Sequence, residues 1–301
     1  MSINYIIVSP VKDEERYVEE TLKSVVGQTM RPSKWIIVDD GSTDRTPEIV
    51  GDYYSKHSWI KLLRLDRRGK RVIPAEIRAF NEGYKLVNDE PFDFIVKLDC
   101  DLSLESRYFE RLLEEFKQDS RLGIASGVYL EQNRDKWVPV KMPDYHTSGA
   151  SKMVRAECFR DIGGFVLERG WDTLDEIRAQ MTGWHTRHFP SLEFRHLKNE
   201  GAGLGYLAAN AMHGEIYYKT GGSVPFFTLK ALDRFVTGRP FVLGGLMMVY
   251  GYLKARLLGM KRVVTDQEAH FYRKLLNQRI KQRLLSFLGT ERVIDNHVPE
   301  R

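Results

Sequence analysis

Two aspartates bracket a cysteine at the end of an apolar run, Phe94-Ile95-Val96-Lys97-Leu98-Asp99-Cys100-Asp101. Carboxylates are costly to desolvate, and strand interiors avoid Asp. Acids at such a place therefore point to a strand end that faces a cleft. Two carboxylates spaced i, i+2 can approach one hard cation. Magnesium or manganese binds through few carboxylates, with substrate phosphates completing the shell. A solvated turn is the plain alternative for Asp-x-Asp in a loop. Cys100 is read as packing, because a thiolate is too soft for that ion.

A second pair of acids, Asp39-Asp40, follows another apolar run, Trp35-Ile36-Ile37-Val38, and leads into Gly41-Ser42. The elements that must position these groups alternate over the first two-thirds of the chain. Strands are expected over residues 3–9, 35–38, 60–65, 92–98 and 122–130. Helices are expected over 13–28, from Pro47, and over 75–87 and 104–117. Such alternation argues for an α/β fold with a mostly parallel sheet flanked by helices. Ligands of open α/β sheets bind beyond the carboxyl ends of the strands. The loop after the first strand, SPVKDEE, has neither the glycine-rich dinucleotide fingerprint nor a phosphate loop.

The chain of 301 residues is about 29% charged and 42% hydrophobic. That is ordinary globular composition with ample length for a core. Two cysteines in no metal or disulfide spacing, and no basic-then-apolar leader, suggest a reduced cytoplasmic protein. Net charge is +5, yet residues 254–301 hold 11 Lys/Arg against 5 Asp/Glu. The remainder, 35 basic against 36 acidic, argues against nucleic acid as a partner.

Taken in order, SPVKDEERYVEETLKSVVGQT, IIVDDGSTDRT, FIVKLDCD, GGF and WDTLDEIRAQMTGW form a series that resembles the family 2 glycosyltransferases. Those are inverting enzymes with the A-type nucleotide-sugar-binding fold, and the resemblance covers about residues 3–196. It implies that Pro10, Val11 and Lys12 line the nucleobase and that Asp40 reads a pyrimidine edge, with Asp39 supporting the turn. It implies Asp99 near ribose and metal, Asp101 as direct metal ligand, and His196 completing the metal site or meeting phosphate. Lys70, Arg71 and Arg78 fall where the diphosphate is usually met, although solvated surface charge explains them equally well.

The same resemblance places Asp172 at the catalytic base. Trp171 stands where the family usually has Glu, so Asp175 and Glu176 are alternates. First-turn acids favoured by a helix dipole are the plain reading of that segment. Gly149 and Ala150 match an acceptor-side loop, with Trp171 beside it, and Gly163-Gly164-Phe165 the turn behind that loop. Lys12-Asp13 departs from the family's aromatic-then-Asn.

The implied activity is metal-dependent transfer of a sugar from a nucleotide sugar, UDP-linked on the Asp40 reading, to a hydroxyl of a glycan or lipid-linked acceptor. A nucleotidyltransferase on a related sheet, or an inactive membrane scaffold of the same fold, are the alternatives. The expected division is a catalytic domain over 1–200 and a helical extension over 201–301. In the extension, Phe226, Phe227, Leu229, Leu232 and Phe235 read as one apolar edge, followed by Met247, Met248, Tyr250, Tyr252 and Leu253. Lys254, Arg256, Lys261 and Arg262 come next. An apolar helix with a basic flank is the make-up of an interfacial helix at a membrane's cytoplasmic face. Packing onto the core, or homodimerisation through the same surface, are the competing readings.

Overall fold

The computed structural model describes residues 3–66, 74–198, 205–238 and 240–287. The chain divides into two units, Met1–Leu167 with Thr182–Asn199, and Glu168–Met181 with Glu200–Arg301. The segment Glu168–Met181 therefore groups with the C-terminal helices, whereas the expected division ran at residue 200.

In the first unit the elements run β1 (Tyr5–Val11), α1 (Val18–Val26), β2 (Lys34–Asp39), α2 (Thr46–Lys56), β3 (Ile60–Arg64) and α3 (Ala75–Tyr84). They continue through β4 (Phe94–Leu98), β5 (Leu102–Leu104), α4 (Tyr108–Gln118), β6 (Leu122–Asn133), β7 (Lys136–Pro139), β8 (Ser151–Arg155) and α5 (Ala156–Asp161). The chain then makes α6 (Trp171–Met181), which belongs to the second unit, and returns with β9 (His185–His196).

One sheet of nine strands results, in the order β3-β2-β1-β4-β8-β6-β9-β5, with β7 paired to β6. The run β3-β2-β1-β4 is parallel, joined by helical crossovers. β1 and β4 are buried along their whole length and β2 at all but its first residue, so each is built on a run of consecutive apolar residues. Beyond β4 the sheet is mixed. β8 runs antiparallel to both β4 and β6, β9 is parallel to β6, and β5 closes the far edge antiparallel to β9.

Helix α1 starts at Val18 and not at residue 13. Asp13 takes a left-handed backbone, φ 53°. The backbone N–H groups of residues 13–15 donate to side chains of the 42–46 loop: Asp13 to Ser42 Oγ, Glu14 to Thr46 Oγ1 and Glu15 to Asp44 Oδ2. Those bonds hold residues 13–15 out of the helix.

The second unit contains α6, α7 (Tyr206–Lys219), α8 (Val224–Thr237), α9 (Leu243–Leu257) and α10 (Asp266–Phe287). Its core gathers Ile177 of α6 with Tyr217, Phe227, Met248, Tyr252 and Leu276. The rings of Phe227 and Tyr252 stack with centroids 4.3 Å apart. Helices α7 and α9 meet backbone to backbone: a Cβ on Gly251 would lie 1.9 Å from the Ala211 carbonyl oxygen, and one on Gly214 1.9 Å from that of Met248. Only glycine permits that approach.

The single apolar edge expected on α8 is two edges. Phe227 turns inward with Ala231, while Leu229 and Leu232 are exposed. Positions 227 and 231 are i, i+4 on one face, and 229 and 232 lie on the other. On α9, Met248 and Tyr252 are likewise buried while Tyr250 and Leu253 are exposed.

Candidate active site

Parallel pairing of β1 with β2 sets Pro10 opposite Val38 and Val11 opposite Asp39. Both strands end there, so Pro10, Val11, Lys12, Asp39 and Asp40 share one edge of the sheet. Asp39 is fully buried. Its Oδ1 accepts from the Ser42 backbone N–H at 2.8 Å and its Oδ2 from Arg64 Nε at 3.1 Å. It closes the turn in which Gly41 takes φ 77°. Asp40 is also buried. Its N–H donates to the Val11 carbonyl at 2.9 Å, and Lys12 Nζ donates to its carbonyl at 3.1 Å. Lys12 and Asp40 are thereby joined through the backbone.

β4 delivers the other acids. The Asp99 N–H donates to the Ala150 carbonyl at 2.8 Å. Lys97, buried two residues earlier on the same face, donates from Nζ to Asp99 Oδ1 at 2.5 Å and to the Gly149 carbonyl at 2.8 Å. Burial pushes the Asp99 carboxyl above its usual range; Lys97 opposes that shift and the Asp101 charge adds to it. Ala150 is thus anchored to Asp99 directly, and Gly149 through Lys97. Among the residues of this unit, Lys97 was not singled out from the sequence. A lysine inside an apolar strand is itself a signal, because a buried ammonium needs a partner, and the i+2 acid supplies one.

Asp101 is placed by β5 and β9. Leu102 pairs with His196, and the Leu197 N–H donates to the Asp101 carbonyl at 2.8 Å. His196 Nε2 then lies 3.3 Å from Asp101 Oδ2, with the imidazole edge-on to Tyr129 at 5.8 Å. Asp101 Oδ1 is buried and, among the described residues, accepts no hydrogen bond. Glu14 sits in the same electrostatic neighbourhood. Burial raises its pKa, the charges of Asp101 and Asp99 raise it further, and Lys198, 2.6 Å from Oε1, opposes them. No spacing in the sequence links Glu14 to acids so far along the chain.

These residues fit a hard divalent ion. Asp101 Oδ1 accepts no hydrogen bond among the described residues and His196 Nε2 lies beside Oδ2, a donor set that suits a hard cation. Among the described residues no group of three or more His, Cys, Asp or Glu is arranged as a metal cage. Two protein ligands suit magnesium or manganese, which keep water and phosphate oxygens in their shell. Burial and the flanking Asp99 and Asp101 push the Cys100 thiol up, so it remains protonated and packs.

Arg78 lies on α3; its Nε is buried and, among the described residues, has no acceptor. Lys70 and Arg71 lie outside the described residues. Gly163 and Gly164 both take φ 73°, a left-handed conformation that glycine adopts without cost.

The remaining candidates belong to the second unit. Trp171 is buried and Asp172 half-buried at the start of α6, where the Asp172 Oδ1 accepts from the Thr173 N–H at 3.0 Å. Asp175 and Glu176 are both buried, and the Asp175 Oδ1 accepts from the Glu176 N–H at 2.7 Å. Asp172 is the most solvent-accessible of the three.

A nine-stranded mixed α/β sheet with acids gathered at strand ends places the candidate site where such sheets bind their ligands. The model of Glycosyl transferase family 2 matches residues 6–172, more than half of the chain, and the chain belongs to that family. It is 31% identical over 116 residues to a poly-beta-1,6-N-acetyl-D-glucosamine synthase of Staphylococcus epidermidis, which is 38% of this chain and 26% of the relative. It is 28% identical over 137 residues to the uncharacterized glycosyltransferase EpsJ of Bacillus subtilis, 45% of this chain and 37% of that one. The matches thus span about a quarter to a third of these relatives' own length.

Among solved structures, the mannosyltransferase PcManGT of Pyrobaculum calidifontis, in complex with GDP-Man and Mn2+, superposes with TM-score 0.54 at 17% identity, over 96% of this chain and 84% of that one. S. aureus TarS in complex with UDP-GlcNAc superposes with TM-score 0.54 at 16% identity, over 94% and 83%. At these identities the likeness is one of fold.

Proposed function

We propose that the protein is a metal-dependent, inverting glycosyltransferase that moves a sugar from a nucleotide sugar to a hydroxyl of a glycan or lipid-linked acceptor. The observation that carries this reading is Asp101 at the carboxyl end of β4, with one buried oxygen that lacks a donor among the described residues and the other beside His196. Asp101 and His196 would hold a manganese or magnesium ion, and Asp99, fixed by Lys97, supports the same edge. When bound, such an ion neutralises the charge of a nucleoside diphosphate leaving group. The catalytic domain is taken as residues 1–200 and the helical extension as 201–301.

Pro10, Val11 and Lys12 line the base, and Asp40 accepts from a uracil ring N–H. UDP is therefore the nucleotide assigned. Arg78 offers its buried Nε to the diphosphate. Asp172 removes the proton from the acceptor hydroxyl as that oxygen bonds to the anomeric carbon. The bond to the diphosphate oxygen breaks with its electron pair, the anomeric configuration inverts, and Asp172 leaves protonated. A glycan acceptor is favoured by the polysaccharide synthase among the relatives.

Thermal unfolding with UDP, with and without manganese, tests the site, since a ligand that binds only the native state raises the melting temperature. A manganese-dependent shift is expected in the wild type and is absent in Asp101→Ala. Asp172→Asn keeps that shift while UDP release in the presence of acceptor falls about 100- to 10,000-fold. A metal-dependent shift that survives in Asp101→Ala removes the metal assignment. Full transfer by Asp172→Asn, with loss in Asp175→Asn or Glu176→Gln, moves the base to the alternate.

A further inference from the structure

Helices α8 and α9 each carry two apolar faces, and the core uses one of each. On α9 the inward face is Gly244, Met248, Gly251 and Ala255. The opposite side presents Leu243, Leu246, Tyr250, Leu253 and Leu257, all exposed, with Leu257 at 84%. Their spacing alternates three and four residues, so they form one continuous stripe along the helix. On α8 the outward stripe is Leu229, Leu232 and Val236, the last exposed to 72%. Phe241, between the helices, is 69% exposed. The next residue, Val242, holds φ 62°, a left-handed conformation that is costly for a β-branched side chain. An exposed apolar surface of this extent marks an interaction site.

The charge around the stripe identifies what covers it. Residues 240–265 contain no Asp or Glu, and Lys254, Arg256, Lys261 and Arg262 are all exposed. On the α9 wheel Lys254 falls to one side of the stripe and Arg256 to the other, from where long side chains reach outward past an apolar face. A second copy docked on α9 would meet this basic rim with no acid of its own α9 to answer it. A bilayer with anionic headgroups answers both the apolar stripe and the cations. Among the described residues no helix is long and apolar enough to cross a membrane.

We infer that α8, α9 and the Phe241 connection lie in the headgroup interface of an anionic membrane, with the α9 stripe in the acyl boundary and its basic rim on phosphate groups. This does not depend on the catalytic assignments, because every residue it uses is outside that site.

The full chain is tested by flotation with phosphatidylcholine vesicles, with and without phosphatidylglycerol. The wild type is expected to float with the anionic vesicles and to be released by salt. Lys254→Gln/Arg256→Gln lowers partition on the order of tenfold, and Leu246→Asn/Leu253→Asn abolishes it. These positions are exposed, so melting temperatures should not fall. Cys100 and Cys158 are both buried. A Tyr250→Cys variant therefore takes an environment-sensitive dye at position 250, whose emission should shift to the blue on anionic vesicles alone. Failure of the wild type to float overturns the inference, as does flotation indifferent to all four substitutions. A concentration-dependent dimer that Leu246→Asn/Leu253→Asn dissolves, without vesicle binding, also overturns it and gives the stripe to a second copy.

Discussion

Arg178 Nε donates to Glu268 Oε1 at 2.7 Å, joining the helix that bears Asp172 to the first turn of α10. The other oxygen of Glu268 accepts from the Thr265 backbone N–H at 2.6 Å, while Thr265 Oγ1 accepts from the Glu268 N–H at 3.2 Å. Thr265-Asp266-Gln267-Glu268 is thus a capping box whose glutamate also orients α6.

That arrangement gives a pH dependence of known sign. Burial works to raise the Glu268 pKa, but the Thr265 N–H and Arg178 outweigh it and hold it below the ordinary 4.5. A lowered folded-state value contributes stability that is present above the unfolded pKa and is lost as pH falls through the folded one. Glu268→Gln should cost about 1–2 kcal/mol at neutral pH. Its melting temperature should also fall less steeply than that of the wild type below pH 4.5. Parallel acid slopes for the two proteins would show that Glu268 stays ionised equally well in the unfolded chain.

Lys97 should be needed for more than packing. Removing one partner of a buried ion pair leaves an uncompensated charge, at a cost of about 3 kcal/mol. Lys97→Ala is expected to destabilise by about that amount in urea unfolding. Adding Asp99→Asn should recover part of the loss, because the stranded carboxylate is then neutral. Additive losses in the double variant would mean that the two groups are not coupled.

Two glycines should respond to alanine in opposite directions. Gly251 has no room: its Cβ would stand 1.9 Å from the Ala211 carbonyl oxygen. Gly251→Ala should destabilise by about 1–3 kcal/mol. Gly51, inside α2, has nothing within 4 Å of the same added atom. Gly51→Ala should stabilise by about 0.5–1 kcal/mol. A midpoint in urea for Gly251→Ala equal to or above that of the wild type would refute the close approach of α7 and α9.

The parallel half of the sheet was readable because β1, β2 and β4 are covered on both faces and so each carries a run of three or more consecutive apolar residues. In the mixed half β6 was legible over 122–130, whereas β5 and β8 were not. β5 is three residues long, and β8 carries the buried Lys152, which breaks the apolar pattern that marks a strand. Acids following an apolar run disclosed the strand ends at Asp39-Asp40 and Asp99-Cys100-Asp101. Their supporting groups stayed hidden for a physical reason. Glu14 and Lys198 pair across 184 positions, a proximity that no local spacing encodes. The two faces of α8 and α9 were equally hidden, since hydropathy alone does not say which apolar stripe meets the core.

The return of β9 after α6 has a bearing on how the chain is born. β5, the strand that leaves Asp101, has β9 as its partner in the sheet order, and β9 is synthesised only after the α6 segment of the other unit. A nascent chain can build the parallel run from β3 to β4 early, since those strands are near neighbours in sequence. The meeting of Asp101 with His196 must wait until residue 196 has left the ribosome, and it closes the longer loop. The acid–imidazole pair is accordingly a late product of folding, completed only once both units have been started.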